Sequence, residues 1–272
     1  MQTSNVSDTE LYLFENLIAF DNITHFVSSR KGGYSKGVFQ GLNIGFNVGD
    51  DDWNVLRNRK ILSDAVNIPI DSFTFANQCH GSNINFAGSS LRGCGSSDEK
   101  SSLEDTDGMI TSTPGICITV QVADCVPVLL YDSENHIAAV IHAGWKGTIG
   151  QITGKTLEKM IHFCSSKPVN IYAGIGPSIG PCCYEVGQNV YKELKYKGIS
   201  KKDIIIPSKQ KDKYYFNLWQ ANKKQLTDLG VKPENIEEAA ICTKCNNESF
   251  YSSRASDGKT GRFASGIMLK KK

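Results

Sequence analysis

What this sequence lacks narrows it first. It has no run of about 18 consecutive apolar residues, so no transmembrane helix is expected. Its opening residues, Met1-Gln-Thr-Ser-Asn-Val-Ser-Asp, show neither the basic nor the apolar region of a secretory signal, which makes the cytoplasm the expected location. Charge of one sign is not in excess. The 30 Lys and Arg residues against 28 Asp and Glu give +2, too near neutral for a nucleic-acid surface, and Lys270 to Lys272 read as a solvated end. There is no internal repeat and no long linker. Neither the dinucleotide fingerprint nor the phosphate loop occurs.

What is present fits an ordinary soluble globular protein, with 40% hydrophobic and 21% charged residues. The expectation is a single domain over residues 1–272, with 1–10 and 270–272 frayed. Nine cysteines is an odd number, in a chain too large to need a disulfide framework, so they read as reduced thiols. The adjacent Cys182 and Cys183 read as small buried residues. The lone Cys242-Thr-Lys-Cys245, without a second pair or a nearby histidine, reads as structural.

Strand signals dominate. Residues 116–131 are almost continuously apolar and are followed, after Asp132-Ser-Glu-Asn135, by a second apolar run over 136–142. Together they predict an antiparallel hairpin buried on both faces. Residues 73–79, 169–175 and 238–241 are further strands, and the Ser- and Gly-rich stretch 88–105 is a loop that can cover a site. Helices are expected from a cap at Asp52 to Val66, over 147–164, over 186–197 ending before Gly198, and over 217–229 with Asn217 as cap. Without regular βαβ alternation, these elements argue for an α/β protein with a mixed-sheet core.

Three residues in different apolar contexts carry the chemistry: His80 in Gln78-Cys79-His80-Gly81, Cys125 in Asp124-Cys125-Val-Pro127, and His142 in His142-Ala-Gly144-Trp145-Lys146-Gly147. Counted outward from the hairpin turn, Cys125 and His142 fall at comparable heights, where cross-strand side chains meet. A thiolate and two imidazoles suit zinc with one position open. The same residues equally suit a nucleophile, its base and a helper. Asp124 interrupts an apolar strand and needs a partner if buried. The strand-to-helix turn at Gly144 favours anions, with Lys146 beside it. Arg254 and Arg262 are candidate carboxylate or phosphate ligands. Arg57 and Arg59 cannot face one point on a helix, so one turns inward and the other is solvated.

With these motifs in place, the chain resembles the YfiH/DUF152 family, long labelled multicopper polyphenol oxidase (laccase). The resemblance spans roughly residues 27–268. Its segments are Ser29-Arg30-Lys-Gly-Gly33, Leu42-Asn43-Ile-Gly45, Asn58-Arg59, Gln78-Cys-His80-Gly81, Asp107-Gly108, Asp124-Cys125-Val-Pro127, His142 through Gly147, Gly176-Pro177 with Cys182-Cys-Tyr184-Glu-Val-Gly187, and Arg254 with Asp257 through Arg262. The resemblance implies an α/β/β/α layered fold and zinc on His80, Cys125 and His142. It also implies phosphorolysis of adenosine, inosine, guanosine and methylthioadenosine, together with deamination of adenosine. Two departures stand out: Cys79 replaces an apolar residue and adds a thiol near the metal, and Lys146 stands where Arg is usual.

Zinc would activate water for deamination, with Asp124 or Asp107 as proton carrier or orienting group. Phosphorolysis needs a cationic pocket, for which Arg59, Lys146 and Arg262 are candidates, with Asn43 bonding sugar or base. Five histidines without a His-X-His pair cannot furnish a multicopper centre, although copper can occupy the same site as zinc. The expected partners are purine nucleosides and phosphate, not nucleic acid or membrane. The alternatives are a metal-free amidohydrolase using Cys125 and His142, and a non-enzymatic scaffold in which Cys79 or an aspartate closes the metal site.

Overall fold

Two six-stranded sheets stack face to face in this computed structural model, which describes residues 1–197 and 204–271. The first sheet runs Gln2–Val6, Thr9–Leu13, Ile23–Ser28, Phe263–Leu269, Cys117–Val122 and Phe73–Thr74. The second runs Ile236–Glu238, Ile171–Ile175, Val126–Asp132, Ile137–Ala143, Gly108–Thr111 and Ile84–Phe86. Both are mixed: the first has one parallel edge pair, Phe73–Thr74 with Cys117–Val122, and the second is parallel at both edges and antiparallel between them. A smaller sheet joins Glu185–Gly187, Lys213–Phe216 and Ile205–Pro207.

Burial dictates the layering. Ile118, Val120, Phe263 and Ile267 of the first sheet meet Leu129, Tyr131, Ala138 and Val140 of the second in one dry core. The outer face of the second sheet is covered by helices α4 (Ile152–Cys164) and α6 (Leu218–Asp228), through Ile152, Leu157, Met160, Leu218 and Leu226. Helix α2 (Asp52–Ala65) covers the first sheet with Leu62 against Phe26 and Phe73. The other α-helices among the described residues are α1 (Glu15–Ile18), α3 (Trp145–Ile149) and α5 (Gln188–Tyr196). The α/β class with a mixed-sheet core, expected from the sequence, is the observed one. Among the described residues no helix is long and apolar enough to cross a membrane.

The central hairpin forms as its apolar pattern predicts. Every residue of Val126–Asp132 and Ile137–Ala143 is buried, so both faces are covered. Asp132 Oδ1 accepts from the backbone N–H groups of Glu134 and Asn135 and closes the turn. The run over 116–131 is not one strand, however. It breaks at Asp124, whose φ of +84° redirects the chain from the first sheet to the second. An unbroken apolar pattern reports burial but not which sheet a residue joins.

Other boundaries differ in instructive ways. The helix expected over 147–164 is two, because Gln151 adopts φ +60° between α3 and α4. Asp51, not Asp52, caps α2, accepting from Trp53 N. Asn217 caps α6 as expected, accepting from Gln220 N. The helix expected over 186–197 is α5, which starts at Gln188 after a short strand and ends at Tyr196 with Lys197 as its C-cap. The strand expected over 73–79 stops at Thr74, and that over 238–241 lies instead at Ile236–Glu238. Residues 1–10, expected to fray, include a paired strand, and the Met1 amino group sits 2.8 Å from Glu237.

A candidate metal centre in a polar cavity

His80, Cys125 and His142, distant in sequence, converge. Their ligand atoms all lie within 4.8 Å of one another. The hairpin register explains two of them: His142 pairs with Pro127, and Cys125 stands two residues before it. His80 arrives from the loop after Thr74 in a left-handed conformation, φ +59°, and its ring meets that of His142 edge-on at 4.7 Å. Gly144 makes room. A Cβ there would stand 3.1 Å from Cys125 Sγ and 3.2 Å from His80 Cδ2.

Asp107 organises the group. It lies just before the strand Gly108–Thr111, and its Oδ1 is 2.7 Å from His142 Nδ1. It also accepts from the backbone N–H groups of His80 and Gly81, at 3.0 and 2.6 Å. Held this way, His142 turns its Nε2 toward the shared centre, the usual arrangement for an imidazole ligand backed by a carboxylate. The electrostatics agree. Burial alone would raise the Cys125 thiol, but the charge and hydrogen bonds of His142, with those of His80, bring it down to about 6. Burial disfavours protonation of His142, yet Cys125 and Asp107 lift it to about 9. Burial would likewise raise Asp107, and the hydrogen bonds from His142 and Cys79 hold it near 2. Once His142 gives up its proton, two imidazole nitrogens and a readily ionised thiol form a donor set that fits zinc or copper.

The cavity at this centre measures about 630 Å³, within the usual range for small-molecule sites. Phe46, Trp145 and Tyr184 give it aromatic surface, and Arg254 and Arg262 give it cationic surface.

The other expected residues separate in role. Asp124 lines the cavity, but both its oxygens are engaged, accepting from Thr243 Oγ1 and from Arg254 N, each at 2.6 Å. Arg262 lines it with one nitrogen held by the carbonyls of Thr260 and Gly261. Arg59 borders the cavity, yet its guanidinium is buried between Phe46 and Phe75 and donates to the carbonyls of Ile44, Gly95 and Ser96. It therefore pins the 88–105 loop, from which Glu99 and Ser102 reach the cavity. Its neighbour Arg57 is exposed over Tyr34.

Asn43 and Lys146 are not among the cavity residues. Buried Asn43 bonds Asp50, Gly45 and the Arg262 backbone, and Lys146 is exposed on the short α3. Cys79 does not join the three ligands, since its thiol donates to Asp107 Oδ2 at 3.0 Å. Cys182, read as buried, is exposed, and Cys183 is only half-buried. Sequence reasoning did not single out Tyr184 or Phe46 as cavity walls; Tyr184 falls within the Cys182–Gly187 segment of the family pattern, and no motif marks Phe46.

Fold and site define a class: two stacked mixed sheets carrying a candidate metal-ligand set of two imidazoles and a thiol in a polar cavity. A family model described as multi-copper polyphenol oxidoreductase laccase matches residues 24–270, and the chain belongs to that family. The chain is 34% identical to a protein named purine nucleoside phosphorylase from Bacteroides thetaiotaomicron, over 98% of this chain and 99% of that one. It is 32% identical to a protein named adenosine deaminase RL5 from an unknown prokaryote, over 92% of this chain and 95% of that one. The crystal structure of YlmD from Geobacillus stearothermophilus superposes with a TM-score of 0.92 at 30% identity, covering 98% of each chain. YfiH of Bacillus licheniformis gives 0.91 at 32%, again over 98% of each. The resemblance to the YfiH/DUF152 family is borne out.

The copper in the family's description has few histidines to draw on here. His25 accepts from Phe14 N, His136 is bonded by Tyr131, and His162 is exposed on α4.

Proposed function

We propose that this protein is a zinc-dependent purine nucleoside enzyme. It splits adenosine, inosine, guanosine and methylthioadenosine with phosphate into free base and ribose 1-phosphate, and it deaminates adenosine. The observation that carries this reading is the convergence of His80, Cys125 and His142 within 4.8 Å in a cavity that also presents aromatic rings and two arginines. The names of the relatives support the substrate class. The reading places the protein in the cytoplasm and involves neither nucleic acid nor membrane.

His80, Cys125 and His142 would hold the ion, which when bound supplies Lewis acidity for activating water. Asp107 keeps His142 in the tautomer that offers Nε2, and it fixes the His80 loop through two backbone bonds. Phe46, Trp145 and Tyr184 offer faces on which a purine can stack. Arg254 and Arg262 supply the cationic surface that phosphate requires. Asp124 fixes the backbone at Arg254, with one oxygen accepting from Thr243 Oγ1 and the other from Arg254 N.

The lowered Cys125 thiol beside a raised His142 also favours a second reading, a metal-free Cys–His amidohydrolase. That chemistry has no use for His80. The test incubates metal-quantified protein with adenosine, with and without phosphate. Phosphate-dependent adenine and ribose 1-phosphate, with some inosine, are expected. Unchanged adenosine in both arms overturns the proposal, and ammonia release from amides by metal-free protein supports the second reading.

A further inference from the structure

A second sulfur cluster lies outside the imidazole–thiolate centre. Cys182, Cys183, Cys242 and Cys245 bring their four Sγ atoms within 4.8 Å of one another. Cys245 Sγ stands 3.7 Å from Cys182 Sγ and 3.4 Å from Cys183 Sγ. Four sulfurs around a tetrahedral zinc, each bonded at about 2.3 Å, are separated by about 3.8 Å. The cluster has that scale. It also has three cysteines gathered around Cys245, more than a single disulfide can use. The Gly180 N–H donates to Cys242 Sγ at 3.2 Å, a bond suited to a sulfur carrying negative charge.

The backbone is built to hold this arrangement. Ser178 N donates to Ile241 O, and Thr243 N returns to Ser178 O at 3.1 Å, so the loop after Ile175 lies alongside the segment carrying Cys242. Asn246 N donates to Cys242 O at 3.0 Å and curls Cys245 back toward Cys242. Two ligands come from each segment, and all four are soft sulfur donors, which select zinc over harder divalent ions.

We propose that Cys182, Cys183, Cys242 and Cys245 form a structural tetrathiolate site for one zinc ion. Loading it releases the thiol protons to solvent and leaves four thiolates on the metal, with no open coordination position. The site ties together two segments that both reach the cavity. Tyr184, next to Cys183, lines the cavity, and Thr243, between Cys242 and Cys245, bonds the cavity-lining Asp124. Its role is to position that wall, and it stands independently of the nucleoside reading.

The test is metal content after purification of the full chain under reducing conditions. Wild type is expected to carry about two equivalents of zinc, and Cys182→Ser with Cys245→Ser is expected to lose about one while Cys125→Ala keeps that one. The single variant Cys182→Ser, altered at an exposed position, serves if the double variant does not fold. Alkylation mapped by mass spectrometry is the second readout: Cys182 and Cys245 react slowly in the zinc-loaded protein and fast after chelation. Unchanged zinc in the cysteine variants overturns the proposal. So does alkylation of these exposed thiols that a chelator does not alter, a disulfide among the four in freshly isolated protein, or iron in place of zinc.

Discussion

Asp107 is the residue on which the candidate centre turns, because one carboxylate addresses His142, His80, Gly81 and Cys79. Asp107→Asn keeps its size but removes the charge that orients His142, and metal affinity is expected to fall roughly 10–100-fold by competition with a chelating dye. Gly144→Ala is expected to weaken metal binding with little loss of thermal stability, since its new Cβ presses on Cys125 and His80 and not on the core. A third residue predicts a pH effect. His25 is buried, accepts from Phe14 N, and is pushed down to about 4 by burial. The unfolded chain therefore binds a proton near pH 6.5 that the folded chain refuses until about pH 4, so stability falls as pH drops through that window. The loss is of order 3 kcal/mol, and denaturant unfolding at several pH values should show it shrinking in His25→Gln.

At the scale of elements, the hairpin and the helix stripes were legible because periodicity reports burial directly. The crossover at Asp124 was not, since a continuously apolar run reads alike whether its halves share a sheet or lie in two. The α3–α4 break hid for a related reason: Ile149, Ile152 and Leu157 keep a helical stripe across it. This difference is measurable. In one continuous helix, Gln151→Gly would cost about 1 kcal/mol. At φ +60° the same substitution relieves left-handed strain of about 1–2 kcal/mol, so unchanged or raised stability is expected in urea unfolding. The candidate ligands His80, Cys125 and His142 could be picked out by residue type and context, and the hairpin count placed Cys125 near His142. Cys245 lies 63 residues from Cys182, and nothing local announces that the two loops meet.

For the whole molecule, the cavity depends on segments from many parts of the chain held around one rigid pair of sheets. Arg59 shows how. From α2 it donates to the carbonyls of Ile44, Gly95 and Ser96, joining the first sheet's helix to the loop over the cavity. Burial draws its guanidinium down to about 9, so the carbonyl cap and the rings of Phe46 and Phe75 must compensate for lost water. Arg59→Met is expected to open the 88–105 loop to limited proteolysis and to raise KM for nucleoside more than it lowers kcat. The proposal that His80, Cys125 and His142 form the reactive centre is tested most directly by Cys125→Ala, assayed for bound metal and adenosine turnover on the same folded sample. The account predicts that the metal at this centre and the turnover are lost together, with the fold retained by circular dichroism. A folded Cys125→Ala protein that keeps full metal content and turns over adenosine at the wild-type rate would contradict it.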